Sequence, residues 1–271
     1  MIIIGEKING AIPSIKDAIL NRDEELIKER TVLQDEAGAN FLDCAPSTAT
    51  DIEYDTMVWL INTMQSVSEK PLCIDSPNVK LLARIIEEGH LKRPGMVNSV
   101  NEESDKCETI FPLIANTDWN VVALTCDQDG IPMEASKKID IAKRMIDKAV
   151  KYGVDLKNVH IDPCVMALAA MSESMNNFEE CIVKIHEYAP DVKVTGAISN
   201  ISFDMPARKY VNNNCMALAI RAGLDSAILD PTNVDMMSTI YACEALKGTD
   251  KNGRKYNRAF RQGKLGVKPK N

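Results

Sequence analysis

The sequence lacks the long apolar segments that take a chain into or across a membrane. Its apolar start, Met1 to Ile4, is followed at once by Gly5, Glu6 and Lys7, which leaves no room for the apolar region of a secretory signal. No apolar run approaches the roughly 18 residues that a membrane helix needs. We therefore expect a cytoplasmic protein that does not associate with membranes.

Cysteines and histidines are present, but the spacings that bind metals are missing. The eight cysteines include no CxxC pair, and several of them lie inside apolar runs. None of the three histidines has a cysteine or a second histidine at the spacing of zinc ligands. Disulfides are rare in chains without a secretory signal. The sequence therefore predicts reduced thiols and no metal bound by this chain.

Two further classes of protein are disfavoured by features that the chain does not have. The formal net charge is -7, so the chain lacks the basic excess of proteins that bind nucleic acid non-specifically, and we expect no nucleic-acid partner. The residues after the first apolar run, Gly5 to Asn9, do not match the GxGxxG pattern of dinucleotide-binding folds. A doubly wound open sheet is therefore the weaker of two possible folds.

Short apolar runs that alternate with helical segments are the main pattern that is present. Eight runs recur at a spacing of roughly thirty residues, as β-α units do. They fall at residues 2–4, 41–42, 71–74, 96–97, 121–124, 159–161, near 194 and 226–229. The clearest helix is predicted from about Ala135 to Tyr152, where apolar residues occupy one face and Gly153 follows. Another is predicted to begin after Asp23, a favourable N-cap, and to end at Gly38.

Eight such units predict an α/β fold, a (β/α)8 TIM barrel, as a single domain over residues 1–247. Strands that alternate with helices form parallel sheets through right-handed crossovers. The chain has 271 residues, of which 45% are hydrophobic, and this suits one such barrel of about 250 residues. The active site of this fold lies at the carboxyl ends of the strands. The stretch from Val194 to Phe203 is predicted to begin as a buried strand and to become polar at that face.

Residues 248–271 differ from the barrel and form a predicted basic C-terminal extension. No carboxylate follows Asp250. The cations that follow it are Lys251, Arg254, Lys255, Arg258, Arg261, Lys264, Lys268 and Lys270. One interpretation is a solvated or docking extension. The other is a surface for an acidic partner protein or for the polyanionic tail of a substrate.

Carboxylates and amides stand where the predicted strands end. These residues are Glu6, Asp43, Asp75, Asn98, Asp127, Asp162, Asn200 and Asp230. An aspartate at this place can also cap the next helix, which we expect for Asp230 and leave open for Asp43 and Asp127. No lysine is placed for Schiff-base chemistry, and neither a Ser/His nor a Cys/His pair occurs.

Two kinds of ligand fit such a set of strand ends. Three or four aspartates could hold a magnesium ion. Interleaved carboxylates and carboxamides also suit a neutral heterocycle, because a carboxylate accepts two parallel N–H bonds and a carboxamide donates and accepts side by side. A pterin presents such an edge, with an amino group, a ring N–H and a carbonyl.

Seven motifs, taken in order along the chain, carry a family resemblance. They are Ile4–Asn9, Leu72–Ser76, Met96–Ser99, Gly130–Pro132, Ile161–Pro163, Ser199–Ser202 and Arg208. Over about residues 1–247 the sequence resembles the methyltetrahydrofolate:corrinoid protein methyltransferases. These are relatives of the folate domain of cobalamin-dependent methionine synthase and, more distantly, of dihydropteroate synthase.

The resemblance implies roles for particular residues. Asp75, Asn98 and Asp162 match the positions that hold the pterin. Asn200 matches an asparagine that hydrogen-bonds near pterin N5 and helps to stabilise charge there, so it is the expected catalytic residue. Arg208 matches an arginine in the substrate cleft.

Three further residues complete the expected substrate-binding set. Ser199 adjoins the expected catalytic asparagine, and Glu6 and Asp43 end strands at the same face. The resemblance also implies tetrahydrofolate or 5-methyltetrahydrofolate as substrate, a corrinoid (cobalamin) carried by a partner protein, and a homodimer.

Two departures from the family pattern stand out. Phe203 occupies the position, three residues after the catalytic asparagine, where the family carries glutamine. Cys44-Ala45-Pro46 replaces an asparagine-rich sequence after the strand-two aspartate. Both differences suggest a branch that serves a different corrinoid partner.

The leading hypothesis is a methyltransferase that moves a methyl group between a protein-bound corrinoid and tetrahydrofolate, with the direction left open. A condensation like that of dihydropteroate synthase is an alternative, but it needs cations at the strand ends for a diphosphate, and only Arg208 is available. A folate-binding protein without turnover is the third hypothesis. The presence of Asn200 argues against it.

Overall fold

Eight parallel strands form one sheet in the computed structural model, which describes residues 1–267. The strands are β1 (Ile2–Gly5), β2 (Phe41–Cys44), β3 (Leu72–Asp75), β4 (Met96–Val100), β5 (Asn120–Leu124), β6 (Val159–Asp162), β7 (Lys193–Val194) and β8 (Ser226–Leu229). Their order is β7-β6-β5-β4-β3-β2-β1-β8, so consecutive strands are neighbours and the last strand lies beside the first.

The two edges of this sheet meet between β7 and β8. The N–H of Asp225 donates to the carbonyl of Val194 at 3.1 Å, and the N–H of Ile228 donates to the carbonyl of Gly196 at 3.2 Å. These bonds close the sheet into a barrel. The predicted (β/α)8 TIM barrel is therefore confirmed.

Ten α-helices are present within residues 1–267, most of them where the sequence predicts. They are α1 (Pro13–Asn21), α2 (Glu24–Ala37), α3 (Thr50–Gln65), α4 (Val79–Glu87), α5 (Lys106–Ile114), α6 (Ala135–Tyr152), α7 (Ser174–Tyr188), α8 (Arg208–Ala222), α9 (Val234–Lys247) and α10 (Arg254–Arg261). Two of them are not among the predicted helices: α10 and α1, a short helix that begins at Pro13 and buries Ile15, Ala18 and Ile19. Proline suits the first turn of a helix, where its missing N–H has no partner to lose.

The predicted ends of two helices are confirmed. The carboxylate of Asp23 accepts the N–H of Leu26 at 3.1 Å and so caps α2. Gly38 and Gly153 follow α2 and α6 with φ angles of 107° and 80°. Glycine adopts this left-handed conformation without steric penalty, which explains why both helices end there.

The expectation that Asp230 caps the next helix is wrong. Asn233 caps α9, with its Oδ1 accepting the N–H of Met236 at 3.2 Å. Asp230 instead accepts the N–H of Thr232 at 2.9 Å and lies 3.3 Å from the ammonium of Lys7. The loop after β8 is long enough to place the cap four residues beyond the strand end at Leu229.

Asp43 and Asp127, for which capping was left open, are not caps either. Ala49 precedes α3 and Glu134 precedes α6, and neither makes a side-chain cap bond. Both aspartates end up several residues before the helix begins. Asp43 faces the mouth of the barrel, whereas Asp127 accepts the N–H of Asp129 at 3.0 Å and lies beside α6, outside the cleft.

The stretch from Val194 to Phe203 departs from its predicted form. Only Lys193–Val194 is a strand, and Ile198–Ser202 forms a short 3-10 helix. Between them, Gly196 approaches the ring of Phe178 so closely that an added Cβ would lie 3.0 Å from Cζ. The backbone beyond Val194 still bonds to the neighbouring strand, since the carbonyl of Gly196 accepts the N–H of Ile228 at 3.2 Å, and the polar residues Ser199 and Asn200 follow in the 3-10 helix.

The described part of the basic extension is docked against the barrel. The carboxylate of Asp250 accepts the N–H groups of Lys255 and Tyr256 at 2.9 and 3.0 Å, which starts α10. Lys264 donates to the carbonyl of Glu36, near the end of α2, at 2.9 Å. The extension thus covers the end of the barrel opposite the mouth, while Lys268 and Lys270 lie outside the described residues. Its binding of an acidic partner stays a prediction.

A neutral histidine fills the barrel interior at that opposite end. His160 is fully buried, with Nδ1 2.8 Å from the hydroxyl of Ser226 and Nε2 3.2 Å from Oδ1 of Asn120. Burial, and then the charge of Lys193, lower the pKa of His160 to about 3, although Asp225 opposes this. The ring is therefore uncharged at neutral pH.

We predict that His160→Gln makes the protein less sensitive to acid. The folded state resists protonation of His160, whereas the unfolded chain binds the proton near pH 6.5, so the wild type loses stability as pH falls below 6.5. Between pH 6.5 and 4.5 this loss is about 2 kcal/mol, and glutamine removes it. Urea unfolding of both proteins at several pH values measures the difference. Parallel pH dependences would contradict the prediction.

Candidate active site

One cleft at the carboxyl ends of the strands brings together seven of the eight predicted site residues. They are Glu6, Asp43, Asp75, Asn98, Asp162, Ser199 and Asn200. The cleft has a volume of about 720 Å³, within the usual range for small-molecule sites. Among the described residues that line it, Arg208 does not appear.

The register of the strands explains why these residues meet. Asp75 pairs with Asn98 across β3 and β4, and Asp162 pairs with Leu124 across β6 and β5. In parallel strands, paired residues point to the same side of the sheet. The last inward-facing residue of each strand therefore reaches the same mouth.

Two carboxyl groups at the base of the cleft, that of Asp43 buried and that of Asp75 half-buried, have no cation within 4 Å among residues 1–267. Asp43 is only 1% exposed, and its Oδ1 finds no hydrogen-bond donor among residues 1–267. Burial and then the charge of Asp75 raise the pKa of Asp43. Burial and then Glu53 raise the pKa of Asp75 to about 6. Carboxyl oxygens of this kind can accept hydrogen bonds from the N–H donors of a ligand.

Asp162 lies on the other side of the cleft and is 6% exposed. Its Oδ1 accepts the N–H of Cys164 at 2.7 Å. Burial raises the pKa of Asp162 to about 6, although the bond from Cys164 and the charge of Lys138 oppose this rise. Above pH 7 the group is therefore a carboxylate with one oxygen available to the cleft.

The 3-10 helix Ile198–Ser202 places Ser199 and Asn200 at the cleft wall, and Arg208 holds this segment from behind. Arg208 Nε donates to the hydroxyl of Ser202 at 2.9 Å, and a second guanidinium nitrogen donates to the carbonyl of Ser199 at 2.7 Å. The guanidinium also lies 4.9 Å from the ring centre of Phe203. Direct contact of Arg208 with a substrate stays a prediction; in this structure it fixes the loop of Asn200.

Several residues of the cleft were not singled out from the sequence. The cleft is also lined by Lys7, Asn9, Ile131, Cys164 and Phe203, among others. Lys7 and Asn9 belong to the motif Ile4–Asn9, so their position in the motif could have indicated them. Lys7 also helps to set the charge of the cleft: burial and Asp230 raise the pKa of Glu6, whereas Lys7 and Arg208 lower it.

The described part of the chain contains no cluster of potential metal ligands. Within residues 1–267, no group of three or more His, Cys, Asp or Glu side chains has an arrangement that could hold a metal ion. The absence of a bound metal stays a prediction from the sequence.

Comparison with known proteins identifies related sequences along nearly the whole chain. The family model "Pterin binding enzyme" matches residues 13–230. The methylcorrinoid:tetrahydrofolate methyltransferase of Eubacterium limosum is 46% identical over 268 residues, which cover 98% of each chain. The methionine synthase of Mycobacterium tuberculosis is 32% identical over 254 residues, 89% of this chain but only 21% of that protein.

Solved structures show the same fold at low sequence identity. Dihydropteroate synthase of Yersinia pestis, solved with a pterine-sulfa conjugate, has a TM-score of 0.64 at 14% identity and covers 91% of this chain and 94% of its own. Dihydropteroate synthase from Xanthomonas albilineans, solved with 7,8-dihydropteroate, has a TM-score of 0.65 at 15% identity, with coverages of 91% and 92%. These likenesses support the barrel fold and no finer property.

We predict that Asp75→Asn stabilises the ligand-free protein at alkaline pH. Because the pKa of Asp75 is raised to about 6 in the folded state, its stabilising contribution is present in acid and is lost as pH rises through 6. Asparagine does not titrate, so the variant should gain about 3 kcal/mol in the free energy of unfolding at pH 8 and little near pH 4. Thermal and urea unfolding measure this. Asp17→Asn, at an exposed position on α1, is the control; an Asp75→Asn variant less stable than wild type at pH 8 would contradict the prediction.

Proposed function

Since this chain belongs to the pterin binding enzyme family, we propose that it is a methyltransferase that moves a methyl group between a protein-bound corrinoid and N5 of tetrahydrofolate. The observation that carries the proposal is a match along the full length of a named methyltransferase, together with a cleft that contains both the acidic set and Asn200. The relation to methionine synthase supports the same methyl chemistry.

The base of the cleft suits the polar edge of a pterin. The carboxylates of Asp75 and Asp162 can each accept N–H groups, and the carboxamide of Asn98 can donate and accept. Because the pKa values of both aspartates are about 6, both are ionised at pH 7.5 and form strong charge-assisted hydrogen bonds. The unpartnered Oδ1 of Asp43 offers another acceptor at the same depth.

Asn200 is proposed to stabilise the charge that develops on N5. The nitrogen becomes positively charged when it carries both a methyl group and a proton, and the side-chain oxygen of Asn200 can accept that N–H. A hydrogen bond to a charged group contributes about 1.5–3 kcal/mol, or roughly ten- to a hundredfold in rate. An amide has no titratable proton, so the proton itself passes between solvent and the aspartates.

We propose that the methyl group moves from the corrinoid to tetrahydrofolate, the direction in the name of the Eubacterium limosum relative. The corrinoid, carried by a partner protein, supplies the methyl group and keeps the electron pair of the broken cobalt–carbon bond. N5 forms the new bond to carbon and gives up its proton. The chain itself binds the pterin, orients N5 and lowers the energy of the charged nitrogen.

Apolar residues around the mouth support docking of the corrinoid partner there. Ile131, Met133 and Phe203 are large apolar side chains at or near the cleft, each more than 40% exposed. Exposed apolar groups of this kind often mark binding surfaces. Phe203, which replaces the glutamine of the family, is proposed to adapt the mouth to this chain's own corrinoid protein.

We further propose a cytoplasmic homodimer that binds neither nucleic acid nor membrane. All eight cysteines lie in the described part of the chain and are free thiols, which suits a reducing compartment. A groove between α8 and α9 exposes Leu218 and Leu246, and it offers an apolar surface for a second copy. No helix within residues 1–267 has the length and apolar character to span a membrane. Sedimentation equilibrium measures the number of subunits.

The condensation reaction of dihydropteroate synthase has less support in this cleft. A diphosphate leaving group needs several cations, and Lys7 is the only cation among the described residues that line the cleft. Lys7 lies 3.3 Å from the carboxylate of Asp230, so its charge is already paired. A folate-binding protein without turnover is excluded only by the assay below.

We predict that Asn200→Ala slows methyl transfer by roughly ten- to a hundredfold while folate binding changes little. The reaction is followed by the absorbance of cob(I)alamin and methylcob(III)alamin under anaerobic conditions, in both directions, with calorimetry for binding. Asn21→Ala, at an exposed position on α1, is the matched control and should behave as wild type. Folate binding by the wild type without any transfer to or from either corrinoid form or its protein would overturn the assignment as an enzyme.

We predict that Arg208→Lys lowers kcat about tenfold and changes the KM for folate by less than about threefold. A lysine cannot make the two bonds to Ser199 and Ser202 at once, so the loop that carries Asn200 loosens while the pterin residues on the strands stay in place. Lys209→Met, which breaks only a surface ion pair with Asp235, is the control. A rise in KM with unchanged kcat would instead show that Arg208 binds substrate directly.

A further inference from the structure

A buried lysine lies beneath the cleft and has no role in the reaction described so far. Lys138, on α6, is 4% exposed. Within residues 1–267, no carboxylate oxygen lies within 4 Å of its ammonium group. Burial of an ammonium group without a close counter-charge is costly, so its retention calls for a physical reason.

The contacts of Lys138 lead directly to the cleft. Its ammonium donates to the carbonyl of Cys164 at 2.8 Å. The N–H of the same Cys164 donates to Oδ1 of Asp162 at 2.7 Å. One residue therefore connects the buried cation to the carboxylate that faces the pterin.

Cys164 needs such anchoring because of its backbone conformation. Its φ angle is 55°, in the left-handed region that residues other than glycine seldom adopt. A residue held there costs free energy, and the surrounding contacts must compensate. Lys138 fixes the carbonyl of Cys164 and Asp162 fixes its N–H, so the loop after β6 is held at both groups.

The charges of Lys138 and Asp162 also support each other. Burial lowers the pKa of Lys138, and the neighbouring Cys164, Cys181 and Asp162 raise it. Burial raises the pKa of Asp162, and Lys138 lowers it. Each group thus favours the charged form of the other in a place where burial disfavours both.

We infer that Lys138 is a positioning residue for pterin binding, which holds the loop of Cys164 and keeps Asp162 an ionised acceptor facing the cleft. The inference rests on the proposed function, because it assigns to Lys138 the task of supporting a pterin-binding carboxylate. Lys138 does not touch the substrate; it acts through Asp162 and Cys164.

The consequence for pH dependence has a definite sign. Without Lys138 the pKa of Asp162 rises, so the carboxylate is lost at a higher pH and binding weakens earlier on acidification. The other titratable groups that face Lys138 or Cys164 are the thiols of Cys164, Cys181 and Cys126, whose pKa values burial raises. They stay protonated below pH 8.5. Titration of Asp75 affects wild type and variant alike and cancels in their ratio.

The test is calorimetric titration of 5-methyltetrahydrofolate into wild type and Lys138→Met at pH 5.5, 6.5 and 8.5. For a rise of about one unit in the pKa of Asp162, the ratio of the two affinities is close to one at pH 8.5, about threefold at pH 6.5 and nearly tenfold at pH 5.5. Lys138→Arg keeps the charge and should restore the wild-type profile. Lys137→Met changes the adjacent lysine, an exposed residue paired with Glu134, and should match wild type at every pH.

A double variant separates positioning from general support of the fold. If Lys138 acts through Asp162, then Lys138→Met has no further effect on affinity in the Asp162→Asn background. An equal loss at all pH values, an equal loss in both backgrounds, or no loss at all would overturn the inference. Absence of folate binding by the wild type would instead refute the proposed function itself. Circular dichroism and Tm confirm that each variant is folded.

Discussion

Carboxyl groups that are largely withdrawn from water, with no cation within 4 Å among the described residues, are the constraint on which the cleft depends. Asp43, Asp75 and Asp162 lie at the mouth of a barrel whose strands hold them in a fixed register, and burial raises the pKa of each. In an unfolded chain these carboxyl groups would be hydrated. The closed barrel prevents their hydration, and this cost in free energy is recovered only when a ligand supplies N–H donors. This face of the barrel therefore lowers the stability of the ligand-free protein and provides hydrogen-bond acceptors for a ligand.

The two ends of the barrel interior differ in whether their buried polar groups have hydrogen-bond partners. At the amino end, His160 is neutral and has partners on both ring nitrogens, Ser226 and Asn120. At the carboxyl end, Asp43 leaves an oxygen without a donor among residues 1–267. A satisfied network contributes rigidity, whereas an unsatisfied one marks a place for a ligand. The fully hydrogen-bonded amino end is therefore a rigid base for the cleft at the carboxyl end.

The sequence was sufficient for the barrel and for seven residues of the cleft because both follow from short-range rules. Apolar runs recur with the period of β-α units, and the residue at the end of each strand must face the common mouth. The rest depends on tertiary contacts that no local pattern records. Gly196 packs closely against the ring of Phe178, and the cap of α9 is Asn233, three residues beyond Asp230. The contact of Lys138 with Cys164 joins residues that only the fold brings together.

The strand ends and the loop of Asn200 have different proposed roles, and this difference has a physical basis. The residues proposed to hold the pterin end strands, where the hydrogen-bonded sheet leaves little freedom. Asn200 instead belongs to a five-residue 3-10 helix that is tied down by Arg208 from outside the cleft. The proposed binding and the proposed chemistry therefore belong to different parts of the fold. Phe203 follows this loop, with its ring centre 4.9 Å from the guanidinium of Arg208, so a change at Phe203 leaves the strand-end residues untouched.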